Sequence, residues 1–284
     1  MRGISRNEVF GAINVSLAFI SLGFVQGFGT ISLTSIGINE EQGSWFVSIN
    51  ILALIIFQCI GGKMAEVFGI KKSFLICSPI IVLGWIFVGT FVSIPCLLIG
   101  RALSGMGVGV IMVSPSVYIA ETAHPDGRAT LSSLVGLSFT FGVCILWILG
   151  YFLDWKSLAF VSTVPPILTF VGFLFLPESP YWLIQNKRFE EAYAALKYFR
   201  RNDEDKKVME EFDEILQHYH KKKVMSHSEK LKSIFSLQFI KPFSCIGILY
   251  TMYEFSGTAS TTNYQQSIII ESKVELEPRT CSLI

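Results

Sequence analysis

Long apolar runs, separated by short polar segments, dominate the sequence from Phe10 onward. A helix that spans a membrane needs roughly 20 mostly apolar residues. Runs of about this length extend over Phe10–Ile36, Ser44–Gly61, Phe74–Phe91, Ile94–Ile119, Leu131–Leu153, Leu158–Leu176 and Leu237–Ile270. Glu254, Asn263 and several serines and threonines make the last run the least apolar. The pattern predicts an all-α polytopic membrane protein with about seven spans, the last set apart from the others.

The segment between the sixth and seventh runs has a different pattern. Arg188–Phe199 and Lys206–Tyr219 repeat apolar residues at helical spacing and carry charges on the opposite face, which predicts two amphipathic surface helices. These helices are either a solvated linker or an element that couples two bundles. The predicted organisation is a six-helix bundle at 1–176, a cytoplasmic helical linker at 177–235, a further span at 236–270 and an extracellular tail at 271–284.

Composition and charge agree with a membrane protein. Of the 284 residues, 51% are hydrophobic and 16% are charged, whereas soluble domains carry about 25% charged residues. The formal net charge of +1 gives no reason to expect a nucleic-acid partner. The positive-inside rule places the Lys- and Arg-rich loops, and with them the N-terminus, in the cytoplasm. These basic segments are Arg2 and Arg6, Lys63 to Lys72, Arg128 and the block Lys187–Lys232.

The candidate chemistry favours binding over catalysis. The sequence has no HExxH, CxxC or GxSxG pattern, and its four histidines lie in predicted cytoplasmic segments. We therefore expect no enzyme activity, no metal site and no cofactor. Glu254 is the most informative side chain, because a carboxylate inside a span usually marks a functional site. The alternative is that this segment lies shallow in the membrane and that Glu254 is solvated.

Three motifs lie at the ends of the predicted spans. Gly61–Ser73 is rich in glycine and lysine and connects the second and third spans, and Gly100–Gly109 opens the fourth. Glu121 and Arg128 follow at the far end of the fourth span, where they are candidates for an ion pair. Pro177–Leu183 ends the sixth span, because its prolines stop one helix and allow the next to start.

In their order and spacing, these motifs resemble the sugar-porter family of the major facilitator superfamily. Ser44–Phe46, Gly150–Trp155 and Pro180–Leu183 further resemble insect facilitated trehalose or glucose transporters. The resemblance implies two six-helix halves, a sugar site between them near the midplane, and alternating access by rocking of the halves. This chain would supply the N-terminal six-helix bundle, the cytoplasmic helices and one helix of the second half. We therefore expect half a transporter, from a truncated isoform or an incomplete gene model.

The resemblance also implies roles for individual residues. Those expected in gating or salt bridges are Glu66, Lys71, Arg101, Glu121, Arg128 and Glu178. Those expected to bind the sugar are Tyr253, Glu254, Ser256, Gly257 and Asn263.

Several residues depart from the family pattern. Val67, Ile70 and Tyr181 stand where arginines are usual. The resemblance implies that the cytoplasmic helices after the sixth span act with the charged motifs as a latch, and fewer ion pairs would weaken this latch. Val25 stands where proton symporters of the family have an aspartate, and it therefore favours uniport. Proton coupling stays open through Glu254 alone, the acid within the last predicted span. Gly136 replaces a frequent glutamine, and the amides that bind sugar hydroxyls in the seventh helix are missing, so the sugar is not identified.

Three functions remain open from the sequence. The first is facilitated uniport of a sugar such as trehalose or a hexose, in a plasma membrane whose lipids surround the helices. The second is a truncated, non-transporting membrane protein that associates with full-length sugar porters. The third is a seven-helix receptor, which the predicted cytoplasmic N-terminus and the long basic loop after the sixth span oppose.

Overall fold

The computed structural model describes residues 4–201, 204–221 and 236–257, and these residues form twelve α-helices. In chain order the helices are α1 (Arg6–Ser35), α2 (Glu40–Phe68), α3 (Ile70–Thr90), α4 (Ile94–Val113), α5 (Pro115–Thr122), α6 (Pro125–Phe152), α7 (Trp155–Val161), α8 (Val164–Phe175), α9 (Pro180–Gln185), α10 (Phe189–Phe199), α11 (Asp205–Lys221) and α12 (Leu237–Phe255). The prediction of an all-α protein is confirmed for these residues.

Within the described residues, six segments are long and apolar enough to cross a membrane, and they coincide with the first six predicted runs. The fourth segment, Ile94–Thr122, combines α4 and α5 with a break at Ser114, before Pro115. The sixth segment, Trp155–Phe175, combines α7 and α8 with a turn between them. Proline has no N–H group and is favoured in the first turn of a helix, where that group would have no partner within the helix, which accounts for the start of α5.

Helix α1 begins at Arg6, before the predicted start at Phe10. The Ser5 side chain accepts a hydrogen bond from the Glu8 N–H group, and the Glu8 side chain accepts one from Ser5 N. This reciprocal capping box satisfies two N–H groups that the helix itself leaves without partners. Polar residues before the apolar run therefore join the helix, which the hydrophobic pattern alone does not show.

Helix α4 packs closely against α2 and α3 where glycines meet. Gly84 of α3 and Gly100 of α4 face each other, and a Cβ on either would lie 2.7 Å from the other's carbonyl oxygen. A Cβ on Gly61 of α2 would lie 2.9 Å from the backbone of Val110. Small residues let spanning helices approach this closely, so larger side chains at these positions would separate α4 from its neighbours.

Aromatic side chains continue the core from the bundle into the following helices. Phe74 of α3 stacks on Phe173 of α8 with ring centroids 4.2 Å apart. Tyr118 of α5 makes edge contacts with Phe173 at 5.5 Å and with Phe199 of α10 at 6.3 Å. All four side chains are buried. The end of the bundle and α10 therefore share one hydrophobic core.

Helices α9, α10 and α11, which we call the helix trio, also have a small core of their own. It consists of Trp182, Leu183, Ile184, Ala192, Ala195, Leu196, Val208, Phe212 and Ile215. Helices α10 and α11 confirm the two predicted amphipathic helices, since each buries its apolar face and exposes its charges. Placement of the trio in the cytoplasm stays a prediction.

Helix α12 begins at Leu237, as predicted, and ends at Phe255. Ser256 and Gly257 form a turn after it, and Gly257 has a φ of 80°, a left-handed conformation typical of residues that end helices. The large apolar side chains of α12 are exposed, with Phe243 and Phe255 at 67% and 88%. The predicted span continues to Ile270, and its remainder lies outside the described residues.

Candidate functional site

Five of the six predicted gating residues lie at one end of the bundle. At this end, which we call the linker end, the α2–α3, α5–α6 and α8–α9 connections contact one another. The five residues are Glu66, Lys71, Glu121, Arg128 and Glu178. The sixth, Arg101, lies within α4 and has separate partners.

Glu178 caps the first turn of α3. Its carboxylate accepts hydrogen bonds of 3.0 Å from the backbone N–H groups of Ile70 and Lys71, and another of 3.0 Å from Ser179 N. The first N–H groups of a helix lack partners within the helix and stabilise negative charge. The residue expected to form a salt bridge thus acts as a helix cap supplied from a distant part of the chain.

The close approach of Glu178 to α3 requires glycine at position 69. Gly69 has a φ of 92°, in the left-handed region, and a Cβ there would lie 2.7 Å from the Glu178 Cδ atom. The indole of Trp182 lies 3.3 Å from the same Cβ position and donates a 2.9 Å hydrogen bond to the Glu66 carbonyl. The α2–α3 turn and α9 therefore fit together through backbone groups.

The side chains of Glu66 and Lys71 remain at the surface. Glu66 accepts a 3.4 Å contact from Lys63, with side chains 62% and 72% exposed respectively. The Lys71 ammonium donates a 3.3 Å hydrogen bond to the Leu174 carbonyl at the end of α8. The Lys63–Glu66 pair contributes little to holding the linker end together, because exposed ion pairs are weak.

Glu121 and Arg128 have different partners instead of pairing with each other. The Ser179 hydroxyl donates a short hydrogen bond to the Glu121 carboxylate, while Arg128 Nη2 donates to the Ala123 carbonyl at 3.5 Å. Tyr181 lies nearby in the helix trio, and burial raises the pKa of its phenol above the usual value. An uncharged side chain therefore occupies this position, where the family usually has an arginine.

Arg101 is a buried cation whose partners are carbonyl groups and aromatic rings. The side chain is 2% exposed. Its Nη1 donates to the Val25 carbonyl at 2.9 Å, and its Nε donates to the Phe46 carbonyl at 3.4 Å. The guanidinium also lies 5.9 Å from the Phe28 ring centroid and 5.1 Å from that of Phe46. Within the described part of the chain, Arg101 thus joins α1, α2 and α4 without a carboxylate partner.

One charged cluster was not predicted from the sequence. Glu8 of α1, Arg200 at the end of α10 and Glu211 of α11 form a network of ion pairs at the linker end. The Ser5-x-x-Glu8 pattern is a sequence signature of a capping box. It could have identified Glu8 as a structural residue, but it contains no sign of Arg200.

The predicted sugar-binding residues lie at the end of α12. Tyr253 is 56% exposed, and the Ser256 hydroxyl donates a 2.6 Å hydrogen bond to the Tyr253 carbonyl. Glu254 belongs to the last turn of α12, and Gly257 belongs to the turn that follows. Asn263 lies outside the described residues. The binding role of this set stays a prediction.

The described ranges contain no group of three or more His, Cys, Asp or Glu side chains that could hold a metal ion.

A family model described as Sugar (and other) transporter matches residues 10–277. Facilitated trehalose transporter Tret1 of Anopheles gambiae is 27% identical over 98% of this chain and 36% of its own length. A Tret1-2 homolog of Drosophila simulans is 26% identical over 98% of this chain and 58% of its own length. The chain thus spans roughly a third to three fifths of these curated relatives.

Solved transporters share the fold. A partially occluded, inward-open xylose transporter XylE from E. coli aligns with a TM-score of 0.74 and 19% identity, over 92% of this chain and 66% of that one. XylE described as a proton:xylose symporter, bound to 6-bromo-6-deoxy-D-glucose, aligns with a TM-score of 0.67 and 20% identity, over 76% of this chain and 54% of that one. The major facilitator fold predicted from the motifs is confirmed.

Proposed function

The chain belongs to the sugar transporter family, and from this premise we propose that it forms part of a facilitator that moves a sugar across a membrane by alternating access. The substrate class follows from the relatives, which are named as facilitated trehalose transporters. Trehalose, or a hexose of similar hydroxyl chemistry, is the proposed cargo. No catalytic step is part of the proposal.

The observation that carries this proposal is the assembly of the family motifs at the linker end. Glu178 caps α3, Ser179 donates to Glu121, and Trp182 donates to the Glu66 carbonyl. These contacts join the α2–α3 turn, α5 and the start of the helix trio into one unit. Alternating access requires each half to move largely as a rigid body, and such contacts provide that rigidity in the first half.

Uniport is supported by the surroundings of Arg101. A proton-coupled mechanism in this region would need a titratable carboxylate within reach of the arginine. The nearest group of α1 is the Val25 carbonyl, and the Val25 side chain is fully buried and apolar. A carbonyl takes up no proton at physiological pH, so we propose that transport does not depend on a proton gradient.

The proposed sugar site begins where α12 ends. Tyr253, Glu254 and Ser256 carry side chains that can donate to or accept from sugar hydroxyls, and Gly257 turns the chain beside them. Asn263 would add an amide.

The proposed setting is a plasma membrane with the N-terminus and the helix trio in the cytoplasm. The basic segments at Lys63 to Lys72 and around Arg128 support this orientation through the positive-inside rule. A tag on the N-terminus should become accessible to antibody only after the plasma membrane is permeabilised. The same tag would reveal association with a full-length relative by co-purification; we include that association as part of the proposal.

Sugar uptake by transport-null cells tests the proposed function. One set of cells would express the 284-residue chain, and another would express the chain fused to the second-half helices of the Anopheles gambiae relative. We expect saturable trehalose or hexose uptake from the fusion, with a higher KM when Ser256 is replaced by alanine. Absence of saturable uptake from a fusion that reaches the plasma membrane would contradict the proposal.

A further inference from the structure

Glu8 and Arg200 form the most deeply buried ion pair that the structure describes. Arg200 Nη1 lies 2.6 Å from Glu8 Oε1, with side chains 4% and 3% exposed. The Arg200 guanidinium also contacts the Glu211 carboxylate of α11 at 2.8 Å, and that side chain is 27% exposed. The three groups connect the first turn of α1 with the end of α10 and the middle of α11.

Every polar atom of the Glu8 carboxylate has a partner. Oε1 accepts from Arg200 Nη1 and, at 2.9 Å, from His124 N in the α5–α6 connection. Oε2 accepts from Ser5 N at 2.9 Å. Arg200 Nη1 donates in addition to the Thr122 carbonyl at 2.8 Å. Buried charges are tolerated only when they are paired and hydrogen-bonded in this way.

Two neutral contacts reinforce the same junction. The Ser5 hydroxyl donates to the Phe199 carbonyl at 2.6 Å, and the Asn7 amide donates to the Tyr198 carbonyl at 2.6 Å. The last carbonyls of a helix lack partners within the helix. The segment that starts α1 therefore satisfies the end of α10, in addition to pairing with Arg200.

We propose that the Glu8–Arg200–Glu211 network is a buried charge clamp through which the first turn of α1 positions α10 and α11 against the bundle. The clamp acts on one side of the helix trio only. Helix α9 is held independently, because Trp182 donates to the Glu66 carbonyl and Ser179 donates to Glu121. Opening the clamp should therefore release α10 and α11 while α9 stays docked.

Replacing Glu8 with glutamine removes the charge and keeps the shape. The carboxylate accepts on both oxygens, from Arg200 and His124 on one and from Ser5 on the other. A glutamine amide accepts on its oxygen only, so its NH₂ group must face one of these donors. Arg200 also loses one of its two carboxylate partners. Both effects weaken the junction without adding bulk.

Hydrogen–deuterium exchange of the 284-residue chain in lipid nanodiscs tests the clamp. For Glu8→Gln we expect amide exchange to rise at least about tenfold within Phe189–Phe199 and Asp205–Lys221, as a local opening of these helices. Exchange in Pro180–Gln185 and in α3 should stay within twofold of the parent chain (roughly the scatter of such measurements). Unchanged exchange in α10 and α11, or an equal rise throughout the bundle, would overturn the proposal.

Asp205→Asn provides the matched control, because it removes an exposed ion pair between the same two helices. Lys197 and Asp205 are 2.9 Å apart, with side chains 52% and 72% exposed. Amide exchange in α10 and α11 of Asp205→Asn should match that of the parent chain. If Glu8→Gln fails to fold, the same exchange measurement on Glu211→Gln tests the clamp, because the partly exposed Glu211 side chain tolerates the change. Faster exchange limited to α10 and α11 in that variant supports the clamp, and unchanged exchange overturns it.

Discussion

Replacing Glu178 with glutamine would separate the capping of α3 from the shape of the side chain. The glutamine oxygen can still accept from Ile70 N and Lys71 N, which the Glu178 Oε1 atom contacts at 3.0 Å. The negative charge at the start of α3 is lost. In a partly buried position this charge–helix interaction is worth up to about 2 kcal/mol, so we expect Glu178→Gln to lower the free energy of unfolding by about 1–2 kcal/mol.

The alanine variant extends the series. Glu178→Ala also removes the acceptor atoms, and the N–H groups of Ile70 and Lys71 then depend on water. We expect a loss of about 2–4 kcal/mol, since hydrogen bonds to charged groups contribute about 1.5–3 kcal/mol each. Denaturant or thermal unfolding in detergent micelles, followed by circular dichroism, would measure both variants.

Glu66→Gln is the control for this series. Glu66 belongs to the same group of predicted gating residues, but its side chain is 62% exposed and contacts only Lys63 among the described residues. Its loss should change the free energy of unfolding by less than about 0.5 kcal/mol. If Glu178→Gln proved no more destabilising than Glu66→Gln, Glu178 would not act as a cap of α3.

Three further substitutions test neighbouring contacts by the same unfolding measurement. Gly69→Ala should lower the free energy of unfolding by about 1–3 kcal/mol, because its Cβ would clash with the Glu178 carboxylate and because a φ of 92° is strained for alanine. A loss below about 0.5 kcal/mol (the usual scatter) would contradict this geometry. Trp182→Phe should cost about 1 kcal/mol through the hydrogen bond to Glu66, and no loss would refute it. Arg101→Lys should be less stable than Arg101→Met by about 1–3 kcal/mol, because lysine keeps a buried charge but cannot donate to both the Val25 and Phe46 carbonyls as the guanidinium does. The reverse order of stability would show that the charge itself is needed.

Much of the bundle could be predicted from the sequence because its helices are long and uniformly apolar. Each of the first six runs meets the length that a bilayer requires. Pro180 marks a helix start in the structure as it does in the sequence, whereas the predicted run Ile94–Ile119 passes through Pro115, where α5 begins. The start of α1 could not be predicted from hydrophobicity alone. Hydrophobicity begins near Phe10, but the capping box of Ser5 and Glu8 extends the helix to Arg6.

The partners of the charged residues could not be predicted, because they come from distant parts of the chain. The motifs identified Glu178 and Arg101, and charge at a membrane boundary suggested salt bridges. The structure instead gives Glu178 the N–H groups of α3 and gives Arg101 the carbonyls of Val25 and Phe46. Backbone groups have no residue-specific signal, so a sequence pattern predicts that a buried charge has a partner without identifying it.

Exchange of labelled sugar across a membrane tests the central claim most directly. Proteoliposomes would contain the fusion of this chain with the second half of a trehalose facilitator and would be preloaded with unlabelled trehalose or glucose. We predict that internal sugar accelerates entry of the labelled sugar, because in alternating access the transporter can return to the outward-facing state with sugar bound. We also predict that a protonophore leaves the rate of entry unchanged, because a uniporter carries no proton with the sugar. Entry that internal sugar does not accelerate, or that stops with the protonophore, would contradict a sugar facilitator.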